Sequence, residues 1–140
     1  LFHNIKLIEG EITTREKVII DSWLSAPLVQ EVFYKTQLSE ESFRKSFAPN
    51  IIKYFLGVAN KESPIGECPV MLHMLEVFEA LEITPPDVFM ICTHLKIAMI
   101  KELCPDKMNH ETIDEISFIL DSNLYGILQY FCQKEKICSI

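Results

Sequence analysis

The chain is predicted to be all-α, a compact domain of about seven helices that ends in a long C-terminal one. Three observations predict this class. Apolar residues recur at three- and four-residue steps through most of the 140 residues, the spacing that places side chains on one face of a helix. Helix-starting residues stand ahead of most of those stretches. No run of residues alternates with a hairpin turn between partners, so no strand pair is expected. Apolar residues make up 49%, with nine Phe and only four Gly, which suits a packed helical globule and not a disordered chain.

The opening LFHNIKLIEGE alternates in part and fits either an extended arm or part of a helix entering from upstream. Thr13 or Thr14 is placed to cap the next helix, which carries Val18, Ile19, Trp23 and Leu24, with Glu16 close to its start. Ser25-Ala26-Pro27 interrupts it. Pro27 suits the first turn of a helix with Leu28, Val32 and Phe33 on its apolar side. Ser39, followed by Glu40 and Glu41, starts a short helix bearing Phe43 and Phe47. Pro49 ends that helix and opens another with Ile51, Ile52, Phe55, Leu56 and Ala59.

Residues 61–69, KESPIGECP, hold two prolines and a glycine and form the one clear internal loop. A helix with Met71, Leu75, Phe78 and Leu81 follows. Thr84-Pro85-Pro86-Asp87 is the strongest local signal: a cap residue, proline at the first helical position and an acid three after the cap. The helix it starts runs to about Leu103, and its broad set of apolar positions (88, 89, 91, 92, 95, 98, 99 and 103) predicts a central, nearly enclosed element. Cys104-Pro105-Asp106 stops it. Asn109 caps the last helix, over residues 109–137, where Ile113, Ile116, Leu120, Leu124, Ile127 and Phe131 share one side and no stop signal follows. Gly126 weakens its interior by about 1 kcal/mol relative to Ala but permits close approach.

At this length a single domain is expected over residues 1–133, with 134–140 beginning a linker. The formal charge is -7, with nine acids against eight bases in residues 1–70 and eleven against five in 71–140. Residues 111–121 carry four acids and no base. This distribution repels a phosphate backbone, and nucleic acid is not expected as a partner. Apolar runs are broken by His94, Lys96 and Lys101, well short of the roughly eighteen residues of a membrane span. The five cysteines, at 68, 92, 104, 132 and 138, are odd in number and widely spaced, and read as reduced thiols of a cytoplasmic protein.

Polar constellations are sparse. His73 and Glu76 face the same way, but a carboxylate-bridged metal centre wants Glu-x-x-His on paired helices, and no second copy exists. Cys68 and His73 have no companion pair to complete a tetrahedral zinc set. No metal site is expected. Ser22, Ser25, Ser39, Ser42 and Ser63 lie in no Gly-x-Ser-x-Gly turn, and the glycines at 10, 57, 66 and 126 are isolated, so neither a hydrolase nor a phosphate-cradling loop is indicated. No enzymatic activity and no cofactor are expected. Met90, Cys92, His94 and Met99 are candidates for a pocket beside the central helix, where flexible sulfur-bearing side chains tolerate a small apolar ligand.

Two segments carry a resemblance. NIIKYFLGVANKESPIGECPVMLHMLEVF (50–78) and TPPDVFMICTHLKIAMIKEL (84–103) resemble the N-terminal helical regions ahead of output domains in bacterial signalling proteins of the diguanylate cyclase and histidine kinase type. The resemblance spans roughly residues 12 to 133 and implies a heme-free globin-like sensory domain. On that reading the chain is a non-catalytic input module that works as a homodimer. Its last helix, through Ile113, Ile116, Leu120, Leu124, Ile127 and Phe131, then passes the signal to a covalently attached output domain.

Two alternatives stand beside it. In a heme-binding globin-like sensor, His94, or Cys68 and Cys104 in their Cys-Pro dipeptides, would ligate the iron. The length and the Phe43 or Phe47 some fifty residues before His94 look like a globin's layout, but Pro64, Gly66 and Pro69 interrupt the region expected to cover the heme, and no distal histidine precedes them. A stand-alone helical interaction adaptor is the other.

Overall fold

Eight α-helices and no strand occur among the described residues, which are 2–67, 69–103 and 108–135 of the computed structural model. In order they are α1 (His3–Thr14), α2 (Glu16–Leu24), α3 (Pro27–Lys35), α4 (Glu40–Ser46), α5 (Ala48–Ala59), α6 (Pro69–Ala80), α7 (Pro85–Glu102) and α8 (His110–Glu135). The all-α class is as the apolar spacing predicts. The helix beyond the expected seven is α1, formed by the opening segment and burying Ile5, Ile8 and Ile12. Its N-terminus has no side-chain cap of its own. The cap comes from α8: the Glu115 carboxylate accepts the backbone N–H groups of Asn4 (3.0 Å) and Ile5 (3.1 Å), and the Asn4 side-chain amide as well. A negative charge there satisfies donors that the helix leaves open and complements its dipole.

Local signals hold at most helix starts. Pro27 occupies the first turn of α3, Ser39 caps α4 by accepting from the Ser42 N–H (3.2 Å), and Asn109 caps α8 by accepting from the Thr112 N–H (2.8 Å). The Thr84–Asp87 capping box of α7 is complete in both directions. Thr14 is the exception. Its hydroxyl donates back to the Gly10 carbonyl (2.8 Å) at the end of α1, and α2 starts after Arg15 with no side-chain cap.

Inward faces follow the predicted period with shifts in α2, where Val18 is exposed and Ile20 buried, and in α3 and α7. In α3 the buried residues are Val29 and Val32, while Leu28 is 48% exposed, because this helix meets the core with the stripe one residue further on. In α7 the inward residues are Val88, Ile91, Leu95, Ala98 and Met99, and Phe89 is 42% exposed. The helix is therefore central but open along one edge. It packs most extensively on α2, and also on α8 and α3.

Along α8, Ile116, Leu120, Leu124, Ile127 and Phe131 are buried together with Ile119, and Ile113 is half-buried. They pack into the domain's own core. α8 packs on α7, α1 and α5, and this stripe is the edge that it buries in the domain. The acids of 111–121 are not a uniform solvent face either. Glu115 caps α1, and Asp121 accepts from Lys96 Nζ at 3.0 Å.

Residues 61–67 are tied to α5 and meet α8 at Gly66. Lys61 and Gly66 take positive φ, the Glu62 and Ser63 N–H groups both donate to the Gly57 carbonyl, and the Gly66 N–H donates to Asn123 Oδ1 at 2.8 Å. Tyr54 Oη donates to the Pro64 carbonyl and accepts from the Glu67 N–H. The loop backbone comes so near α8 that a Cβ on Gly126 would stand 2.9 Å from the Gly66 oxygen. The close approach that Gly126 permits is thus made by this chain's own loop.

Cys92 is a free thiol. Cys132 is disulfide-bonded, which corrects the expectation of five reduced thiols at that position and removes that support for a cytoplasmic setting. The expected boundary at 133 falls within α8, and residues 136–140 lie outside the described residues. Among the described residues no helix is long and apolar enough to cross a membrane.

Gly126→Ala sets two effects against each other. Helix propensity favours Ala by about 1 kcal/mol, whereas the clash with Gly66 falls on backbone and forces the loop off α8, at a cost of about 1 to 3 kcal/mol. A lower urea midpoint for the variant is expected; a higher one would show that the loop yields freely.

Candidate functional site

The central helix places its candidate residues on different sides because each residue turns the helix by about 100°. Cys92 and His94 are two positions apart and therefore point nearly opposite ways. Cys92 lines a small, partly open cavity between helices. His94 lines an open groove between α2 and α7, with Val18, Ser22, Pro27, Ile97 and Lys101 along its walls. Met99 is fully buried, and Met90 is partly buried against the core. The four residues predicted to share a pocket are thus spread around α7, and Cys92 alone among them lines that cavity. The helical period that built the prediction also separates them.

Five helices build the cavity, whose volume is about 30 Å³. Trp23 comes from α2, Ile51 and Tyr54 from α5, and Met74 from α6. Ile91, Cys92 and Leu95 of α7 form one wall, and Leu120, Asn123 and Leu124 of α8 form another. The Trp23 indole N–H donates to the Ile91 carbonyl (2.7 Å), and Asn123 Oδ1 is taken by the Gly66 N–H. Burial pushes the Cys92 thiol up to about 12, so it stays protonated at neutral pH and acts as a small apolar group. Sequence reasoning missed Asn123. Its signal is a polar residue beside Leu120 and Leu124 on the apolar stripe of α8.

Electrostatics fix where α7 begins. Asp87 is buried, and Lys35 Nζ from α3 lies 2.7 Å from its Oδ1. Burial alone would raise the carboxyl's pKa, but the Lys35 and Thr84 hydrogen bonds outweigh it and hold the group below the usual carboxylate range.

Other candidates fall apart spatially. His73 is exposed near Glu76 (3.9 Å) and in ring contact with Phe47, on an outer groove with Ser39, Ser42 and Asn50. Among the described residues neither Ser22 nor Ser25 Oγ is bonded to His94; Ser25 Oγ donates to the Ser22 carbonyl instead. No group of three His, Cys, Asp or Glu side chains is arranged to hold a metal ion among the described residues. Cys68 and Cys104, the thiolate candidates for heme, lie outside the described residues. The interior cavity is far below the roughly 300 to 1,000 Å³ of pockets for larger ligands, and His94 does not line it, so no tetrapyrrole fits there.

Two outcomes follow from these surroundings. The Asp87 folded-state pKa lies below its unfolded value of about 3.9, so its contribution to stability is complete above that pH and is lost as pH falls through the folded value. Urea midpoints from pH 7 to 2 should show Asp87→Asn less stable than the parent at neutral pH, with the gap closing in acid; a constant gap would assign the effect to packing. Cys92 is half-buried and its thiol pushed up to about 12, so it should react slowly with iodoacetamide in the native protein and faster on unfolding, followed by mass spectrometry; rapid native labelling would show that the thiolate forms readily. No family model, curated protein or solved structure matches the chain.

Proposed function

We propose that this chain is a non-catalytic sensory or regulatory input domain, homodimeric, whose terminal helix α8 passes the state of the core to a covalently attached output unit. One observation carries the reading. α8 touches the small cavity with Leu120, Asn123 and Leu124, and over the same two turns its outer side bears Phe118 (57% exposed) and Tyr125 (64% exposed). These two aromatics are seven residues apart and therefore share a face. A change of packing at the cavity acts on the same rigid element that presents them, which is the physical requirement for coupling two surfaces of a domain.

The resemblance of residues 50–78 and 84–103 to input regions of bacterial signalling proteins points the same way, and a heme-free globin-like sensor is the class it suggests. The dimer face differs from the one read from apolar spacing. Phe118 and Tyr125 replace the inward stripe, with the Phe2 ring 6.1 Å from Phe118 at the margin.

Sedimentation equilibrium tests the reading at about 100 μM protomer, since dimer population depends on concentration. A mass twice that of the chain is expected, falling to the single-chain mass for Phe118→Glu/Tyr125→Glu. A monomer at that concentration, or a dimer indifferent to both substitutions, rejects the α8 interface; the monomer favours a stand-alone adaptor.

A further inference from the structure

The interior cavity has an unusual combination of size and chemistry. At about 30 Å³ it exceeds the 10 to 15 Å³ or so that one water molecule needs, and it is too small for benzene, which enters cavities of about 150 Å³. Size alone therefore admits a water molecule, a diatomic gas or a single xenon atom. Polarity separates them. A buried water makes about three hydrogen bonds, and at this cavity the two aromatic donors are already spent, the Trp23 N–H on the Ile91 carbonyl and the Tyr54 O–H on the Pro64 carbonyl, while Asn123 Oδ1 already accepts from the Gly66 N–H. What remains for a water is one side-chain amide, Asn123 with its NH2 and its second lone pair, and the Cys92 thiol, a weak partner. The rest of the lining is aliphatic or thioether.

We infer that this cavity is a binding site for one small uncharged apolar molecule of diatomic size, lined by Ile91, Cys92, Leu120 and Leu124. The site deepens the proposed function, and rests on it only for the consequence that occupancy bears on α8. The walls suit such a guest. Met74 is flexible and polarizable, so it adapts to an occupant without a rotamer clash, and Leu120 and Leu124 lie one turn apart on the helix that also carries the exposed aromatics.

Xenon is the probe. Methyl-resolved NMR of the full chain under increasing xenon pressure should show saturable shifts at Ile51, Ile91, Leu120 and Leu124, while exposed Leu7 and Val18 drift linearly. Leu124→Phe, which fills the space, should abolish the saturable shifts. Leu124→Ala, which enlarges it, should bring saturation at lower pressure. Linear drift at every methyl group, or saturable shifts that persist in a folded Leu124→Phe, would overturn the site; if that variant does not fold, unchanged or weaker binding by Leu124→Ala overturns it. Sedimentation under xenon keeps the two ideas apart. Saturable binding by a chain that is monomeric throughout upholds the site and rejects the dimeric input reading, and a dimer whose methyl groups show no saturation does the reverse.

Discussion

The contact between α2 and α7 is the constraint on which the other packing depends. Trp23 is fully buried, and its indole N–H must find an acceptor or forfeit roughly 1 to 3 kcal/mol of desolvation. It finds one on the backbone of α7, at the Ile91 carbonyl, 68 positions away in sequence. That bond fixes the depth and register of α7 against α2. The Trp23 ring meets Phe43 edge-on at 5.5 Å, and Phe43 in turn touches Phe33 and Phe47. Helices α3 and α4 and the junction into α5 are thus drawn around one indole, and aromatic pairs of this kind add about 0.5 to 1.5 kcal/mol each beyond burial.

Around that centre the periphery is closed by polar contacts between distant parts of the chain. Glu115 supplies the cap that α1 lacks, Lys35 neutralises the buried Asp87 at the start of α7, and Asn123 holds the Gly66 amide on α8. Each satisfies a group that its own segment leaves open, in keeping with the rule that buried donors and charges are paired. α8 takes part in two of the three. It supplies the acceptor that caps α1, anchors the loop and walls the cavity, so a shift of this helix would disturb several contacts at once.

Much of the fold was legible because its signals are local. Pro27, Ser39, the Thr84–Asp87 box and Asn109 mark helix starts through their own side chains, and the apolar stripe of α8 is buried as its spacing indicates. The start of α1 is not legible locally because its cap is a residue of α8, which no local window contains. The candidate pocket was legible in its helix but not in its residues. Met90, Cys92, His94 and Met99 are neighbours in sequence, yet a helix turns them to different sides, and the walls that complete the cavity come from α2, α5, α6 and α8.

By itself the sequence determined the class, the order of most helices and the inward stripe, because helix period, caps and prolines act over a few residues. Only the tertiary structure decided what the stripe of α8 packs against, why residue 126 is glycine and where an interior space remains. The physical reason is range: a Cβ at 126 meets the Gly66 backbone 60 positions earlier, and the room left between five helices depends on how all their side chains interlock. A terminal apolar helix reads alike in sequence whether it faces its own core or a second chain. Here the core has claimed that face, and what α8 offers outward is Phe118 and Tyr125.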